Sequence, residues 1–223
     1  MKRVSLIILM IGWLLSAGSF SISAKESGDT LTARDALLRM PIANIDILSR
    51  SMRLDMLGYY DADSIYKTRN AMDGLSELIP PLSDDYLKIK LTSASTIAIK
   101  VLKSKSGQIF VSSYTVGSDS NSRDSELSFF DKYMRRVKTS KYLKEPELKD
   151  FLVDGLDSKT RETVLDQIPF LTVEYSFRPG EDTLTATLTI SGYMGREEFE
   201  KVSPYLRKQL QYRWSGNKFE KNY

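Results

Sequence analysis

Histidine and cysteine are both absent from the 223 residues. Without histidine there is no imidazole general base, no histidine-ligated zinc and no side chain that ordinarily titrates near neutrality. Without cysteine there is no thiol nucleophile and no disulfide, so the fold must be held by apolar burial and hydrogen bonds. Ser-His-Asp and Cys-His catalysis are therefore excluded. Long hydrophobic runs are equally scarce. The one present, Val4 to Leu15, has 12 residues, short of the roughly 20 that a membrane-spanning helix needs.

What surrounds that run gives it a meaning. Lys2 and Arg3 precede it, small and polar residues lead from it to Ala24, and Lys25-Glu26-Ser27-Gly28-Asp29 follows. This is the pattern of a cleavable signal peptide over residues 1–24, with Ile22 and Ala24 at the cleavage-site positions and Ala17-Gly18 as an earlier alternative; a retained anchor is the rival reading. The expectation is an exported protein, periplasmic or secreted, with no retained transmembrane helix. Lys2 and Arg3 account for two of the three net positive charges, so the whole-chain isoelectric point of 8.9 overstates how basic residues 25–223 are. An aromatic content of 10% suits a globular fold.

Periodicity then sets the fold class. Leu37, Leu38 and Met40 share one side of a short helix stopped by Pro41. Ile45, Leu48, Met52 and Met56 recur at helical spacing from an Asn44 cap to a Gly58 stop. Tyr59 to Pro81 is irregular and reads as a strand or extended arm plus loop. From Tyr86 the period changes to two: Leu87, Ile89 and Leu91, then Ile97, Ile99 and Val101, then Ile109 to Val116, then Leu127 and Phe129 predict about four antiparallel strands. The order returns with Pro146 opening a helix that carries Leu148, Phe151 and Leu152, and with a second helix over 158–168. Leu171 to Phe177 and Leu184 to Ile190 alternate across the Arg178-Pro179-Gly180 turn as the strongest hairpin in the chain. A polar helix near 197–205 precedes Leu210, Tyr212 and Trp214, and a final strand carries Phe219. The prediction is an α+β protein of two similar halves in tandem, 25–140 and 141–223, each a helix pair on an antiparallel sheet. That layout resembles the tandem fold of the β-lactamase inhibitor protein.

The search for chemistry yields little. Ser64-Ile-Tyr-Lys67 and Ser215-Gly-Asn-Lys218 match S-x-x-K, but the companion K-T-G is absent. Asp61-x-Asp63 and Asp119-x-Asn121 lack the ligands and glycine of a calcium loop. Neither a phosphate-cradling G-x-x-x-x-G-K-[ST] nor a G-x-S-x-G elbow occurs. No cofactor or metal is expected. Paired carboxylates remain, with Asp61, Asp63, Asp84 and Asp85 as candidates for glycoside hydrolysis; the competing reading makes them ordinary turn residues.

Two binding features are also present. Residues 132–144 hold Lys132, Arg135, Arg136, Lys138, Lys141 and Lys144 without an acid, either a patch for an anionic partner or a solvated linker between the halves. Tyr212 and Trp214 either contact a ligand or close the second core. The expected partner is an envelope protein or glycan, not nucleic acid.

Arg53-Leu54-Asp55-Met56, then Asn70, Gly74, the strand Asp85 to Thr92 and the Tyr212-x-Trp214 tail resemble a family of exported proteins from Gram-negative anaerobes known as domain of unknown function 3256. The resemblance spans nearly all of the chain after residue 24. It implies export and one module, and it brings no catalytic residues. The combined expectation is a non-catalytic binding module of the cell envelope, with a carboxylate-based carbohydrate-acting hydrolase as the alternative.

Overall fold

Thr32 and Asp35 begin the fold by capping each other. The Thr32 hydroxyl accepts from the Asp35 amide, and the Asp35 carboxylate accepts from the Thr32 amide, which satisfies two free donors of a helix start. In the computed structural model, which describes residues 30–64 and 66–222, α1 (Ala33–Arg39) follows from that box. The signal peptide expected at 1–24 lies outside the described residues.

The second helix starts later than its periodicity predicts. Ile42–Asn44 is a single 3-10 turn, and α2 (Arg50–Asp61) is capped by Ser49, whose hydroxyl accepts from the Met52 amide. The reason is Arg53. Its guanidinium donates to the carbonyls of Leu37, Met40, Ile45 and Leu48 at 2.7–3.3 Å, and those of Met40, Ile45 and Leu48 lie in the linker, so residues 41–48 turn around a buried cation and do not extend the helix. Gly58 lies inside α2, where nothing comes within 4 Å of the position a Cβ would take.

Seven strands follow: β1 (Lys67–Arg69), β2 (Leu75–Ser83), β3 (Tyr86–Lys90), β4 (Ser95–Ser104), β5 (Gly107–Val116), β6 (Asp124–Phe130) and β7 (Arg136–Val137). They form an antiparallel meander in chain order. The expected count of about four is thus corrected. Tyr59 to Pro81 contributes β1 and most of β2, disguised by Pro80 and Pro81, which have no amide to give to a ladder and sit where the β2–β3 register shifts.

The second half begins with a 3-10 turn, Leu148–Phe151, where a helix was expected, and continues with α3 (Ser158–Gln167), β8 (Val173–Phe177), β9 (Thr183–Leu188), α4 (Arg196–Val202), β10 (Gln209–Trp214) and β11 (Phe219–Asn222). Its sheet runs β11-β10-β9-β8. In the first half both helices precede the strands, whereas in the second α4 falls between β9 and β10, and seven strands stand against four, so the two parts share little beyond a leading helix. The class is α+β.

Alternation assigns each face of the larger sheet a partner. Leu87, Ile89, Ile97, Ile99 and Phe110 face α1 and α2 in one core. From the same strands Ala98, Leu102, Ile109 and Val111, with Leu127 and Phe129 of β6, face the smaller sheet in a second core that also holds Val173, Tyr175, Leu184, Leu210 and Trp214. Polar bonds border that shared core. Ser113 Oγ donates to Tyr175 O at 3.1 Å, and Trp214 Nε1 donates to Lys103 O at 2.6 Å. Lys100, whose side chain is 0% exposed, donates to Asp85 Oδ2 at 2.5 Å and to Arg178 O at 3.0 Å, while Gly180 N donates to the same carboxylate. This ties the β8–β9 turn to the larger sheet.

Four outcomes test this architecture. Arg53→Met should leave buried carbonyls unpaired and cost about 3 kcal/mol or more in urea unfolding, with Arg53→Lys recovering only part. Asp85→Asn should cost about 3 kcal/mol at pH 7 by leaving Lys100 without a counter-charge. Burial pushes the Asp85 carboxyl up, but the hydrogen bonds from Lys100, Ser83 and the Gly180 amide outweigh it and hold it below the ordinary carboxylate value. A carboxyl depressed on folding stabilises fully above its unfolded value, about pH 4, and loses that contribution as pH falls through the lower folded value. The stability gap between wild type and Asp85→Asn should therefore be constant from pH 7 to 5 and shrink below about pH 4, as read from urea midpoints across that range. Gly192→Ala should destabilise by about 1–3 kcal/mol, because its Cβ would lie 2.6 Å from the Asn121 carbonyl oxygen.

Candidate functional site

Helices α1 and α2 pack on β1–β4 and cover the same face of β5 and β6 only at Phe110 and Phe130, which leaves that face uncovered by helix from Ser112 to Tyr114 and from Glu126 to Ser128. A cleft of 470 Å³ lies there. Register builds its floor: Ser112 of β5 lies opposite Ser128 of β6, and Tyr114 opposite Glu126. Arg136 of β7 reaches back to Glu126 in a close ion pair. One wall is Ala43 to Ile47, the other Leu91 to Ser95, and Met72 stands on the rim. Tyr114 is 39% exposed and Met72 73%.

The walls are braced from below. Arg53 fixes the first through its bonds to Met40, Ile45 and Leu48. Asn70, buried, fixes the rest: its side-chain amide donates to Leu91 O and Ser76 Oγ, and its side-chain oxygen accepts from the amides of Met72 and Gly74. Ala71 N donates to Ile47 O, which joins the rim to the first wall. Within the second wall the hydroxyls of Thr92 and Ser95 bond each other at 2.8 Å. Three of the residues on which the family resemblance was drawn, Arg53, Asn70 and Gly74, thus hold one cleft open.

The residues singled out from sequence are dispersed around this centre. Of the basic stretch, Arg136 enters the cleft. Arg135 is bound to Asp131, the Lys132 and Arg135 charges flank the exposed Tyr133 ring at 5.1 Å each, and Lys141 lies over Tyr142. Lys138 and Lys144 are exposed. Tyr212 and Trp214 are 5% and 6% exposed, and the Trp214 ring packs on Tyr142 and Phe219, so both lie in the shared core.

The four acids do not converge. Asp61 is in a two-bond pair with Arg34, which holds its carboxyl below the usual range. Asp63 accepts from Tyr66 Oη, and Asp85 serves Lys100. Asp84 and Asp85 do border a separate concavity with Asp182 and Gly180. The S-x-x-K matches are structural: Ser215 Oγ donates to Lys218 O within a turn, and Lys67 of β1 pairs with Glu77 opposite it on β2. Among the described residues no group of three or more acids is placed to hold a metal ion, and no helix is long and apolar enough to cross a membrane.

Sequence reading missed the floor of the cleft. Ser112, Tyr114, Glu126 and Ser128 are the polar half of an ordinary alternation, and only the stopping point of the helices shows that their face is open. Here the fold and cleft together define a class, a two-sheet α+β protein with a braced open cleft on its larger sheet. The chain belongs to the family described as "Protein of unknown function (DUF3256)", which matches residues 27–219. A domain of an uncharacterized protein from Porphyromonas gingivalis W83 is similar in structure, with a TM-score of 0.73 at 19% identity, over 86% of this chain and 98% of that one; at that identity the likeness concerns the fold. No curated protein matches the chain.

Because Tyr114 is a surface side chain on a paired strand, Tyr114→Ala should change urea-unfolding stability by about 0.5 kcal/mol or less, which makes it a clean probe of the cleft.

Proposed function

We propose that the protein is an exported, non-catalytic binding module of the cell envelope that engages a protein, glycan or surface component through this cleft. The observation that carries the reading is the bracing. Arg53 and Asn70 spend their hydrogen bonds on positioning the walls of a concavity whose lining side chains, where they pair, pair with one another, Glu126 with Arg136 and Thr92 with Ser95. Pre-formed sites of about 300–1,000 Å³ are the usual form of small-ligand recognition, and rigid walls reduce the ordering cost of binding. Export rests on the N-terminal pattern of residues 1–24.

The hydrolase alternative needs one carboxyl held protonated beside an ionised one. Asp61 and Asp85, its candidates with shifted acidity, are both displaced the other way. This favours the binding reading.

The test is saturable affinity capture from an envelope extract by three proteins: wild type, Tyr114→Ala, and a variant with Lys132, Arg135, Lys138, Lys141 and Lys144 changed to Gln. Capture should be lost with Tyr114→Ala and kept by the basic-stretch variant. The reverse result moves the site to the basic stretch, and capture indifferent to both changes overturns the cleft as the site.

A further inference from the structure

We infer that the ligand of the cleft is a neutral oligosaccharide, with one sugar ring lying on Tyr114 and its hydroxyls bonded by Glu126, Arg136 and the floor serines. This rests on the reading of the cleft as the binding site and adds the ligand class.

Other ligand classes meet specific obstacles. An extended peptide binds a sheet by adding to a free edge, but the floor strand β5 is paired along its length, with β4 from Ser95 to Ser104 and with β6 from Asp124 to Phe130. An amphipathic helix needs a continuous apolar groove, whereas Ser112, Glu126 and Ser128 lie across this floor and Thr92 and Ser95 in its wall. An anionic ligand needs free positive charge, and the cleft's guanidinium is engaged by Glu126. Asp46, on the first wall and exposed, would repel an anion further.

A saccharide uses what remains. Its C–H face matches the face of an aromatic ring, an apolar body with a polar tip, and Met72 extends that surface at the rim. Its hydroxyls both donate and accept. A carboxylate beside a guanidinium offers two acceptors and a planar fork of donors within one reach, and the Ser112–Ser128 row adds two hydroxyls that serve in either sense. The ion pair brings an acceptor and a donor group together before a ligand arrives, so that part of the recognition surface is polar yet carries no net charge.

The experiment is equilibrium titration of the purified protein against arrayed hexose and N-acetylhexosamine oligosaccharides, with acidic oligosaccharides as comparison. Variants are Tyr114→Ala, Tyr114→Phe and Glu126→Gln. A neutral oligosaccharide should bind saturably, with affinity nearly unchanged between 50 and 500 mM salt, as expected where no net charge is recognised. Tyr114→Phe should bind within about threefold of wild type, while Tyr114→Ala and Glu126→Gln each lose about tenfold or more. Absence of neutral-sugar binding, binding confined to acidic sugars, or equal binding by Tyr114→Ala would each overturn the proposal.

Capture from envelope extract separates this failure from failure of the site. Tyr114-dependent capture that survives periodate cleavage of sugar diols but not protease treatment would sink the saccharide and keep the cleft. Release of new reducing ends from a bound oligosaccharide would support the ligand class while overturning the non-catalytic reading.

Discussion

The arrangement depends first on a buried cation that has no carboxylate. The Arg53 guanidinium is almost wholly enclosed and is satisfied by four backbone carbonyls. Burial draws its pKa down, but arginine starts so high that the charge is retained. A fork of donors in the plane of one side chain fixes the relative positions of the α1 terminus, the linker and the α2 start, which no set of apolar contacts would hold to one geometry. The outer wall of the cleft is that linker, so the cleft derives its shape from a group that does not line it.

A second constraint joins the two sheets. Apolar burial supplies most of the attraction across their interface, but it is nondirectional and would tolerate sliding. Lys100, Ser113 and Trp214 each make one directional bond across it. The absence of cysteine therefore leaves the smaller sheet held by a shared core with polar stitches at its border, a design that needs no oxidising compartment.

The class of the fold was legible because strands such as Ile97 to Val101 and Leu184 to Leu188 alternate cleanly, and because the Arg178 to Asp182 turn carries its own chemistry. What misled was competition between local and tertiary signals. The apolar spacing of Ile45 and Leu48 is helical, yet their carbonyls are claimed by Arg53 from the first turn of α2. Pro80 and Pro81 masked a strand whose neighbours pair normally. The cleft was not legible at all, since an open sheet face and a covered one differ only in what lies above them. Arg136 was named from sequence for its charge, yet in the structure it works as half of an ion pair. The resemblance drawn on Arg53, Asn70 and Gly74 pointed to the right residues without showing that they share a task.

Strand β5 shows one consequence of a sheet with two occupied sides. Tyr114 looks into the cleft, while its neighbour Ser113 holds the Tyr175 carbonyl of the smaller sheet. The floor cannot yield to an occupant without disturbing a bond on its far side. The contour of the floor is thus tied to the packing of the other sheet, and an occupant would have to conform to it.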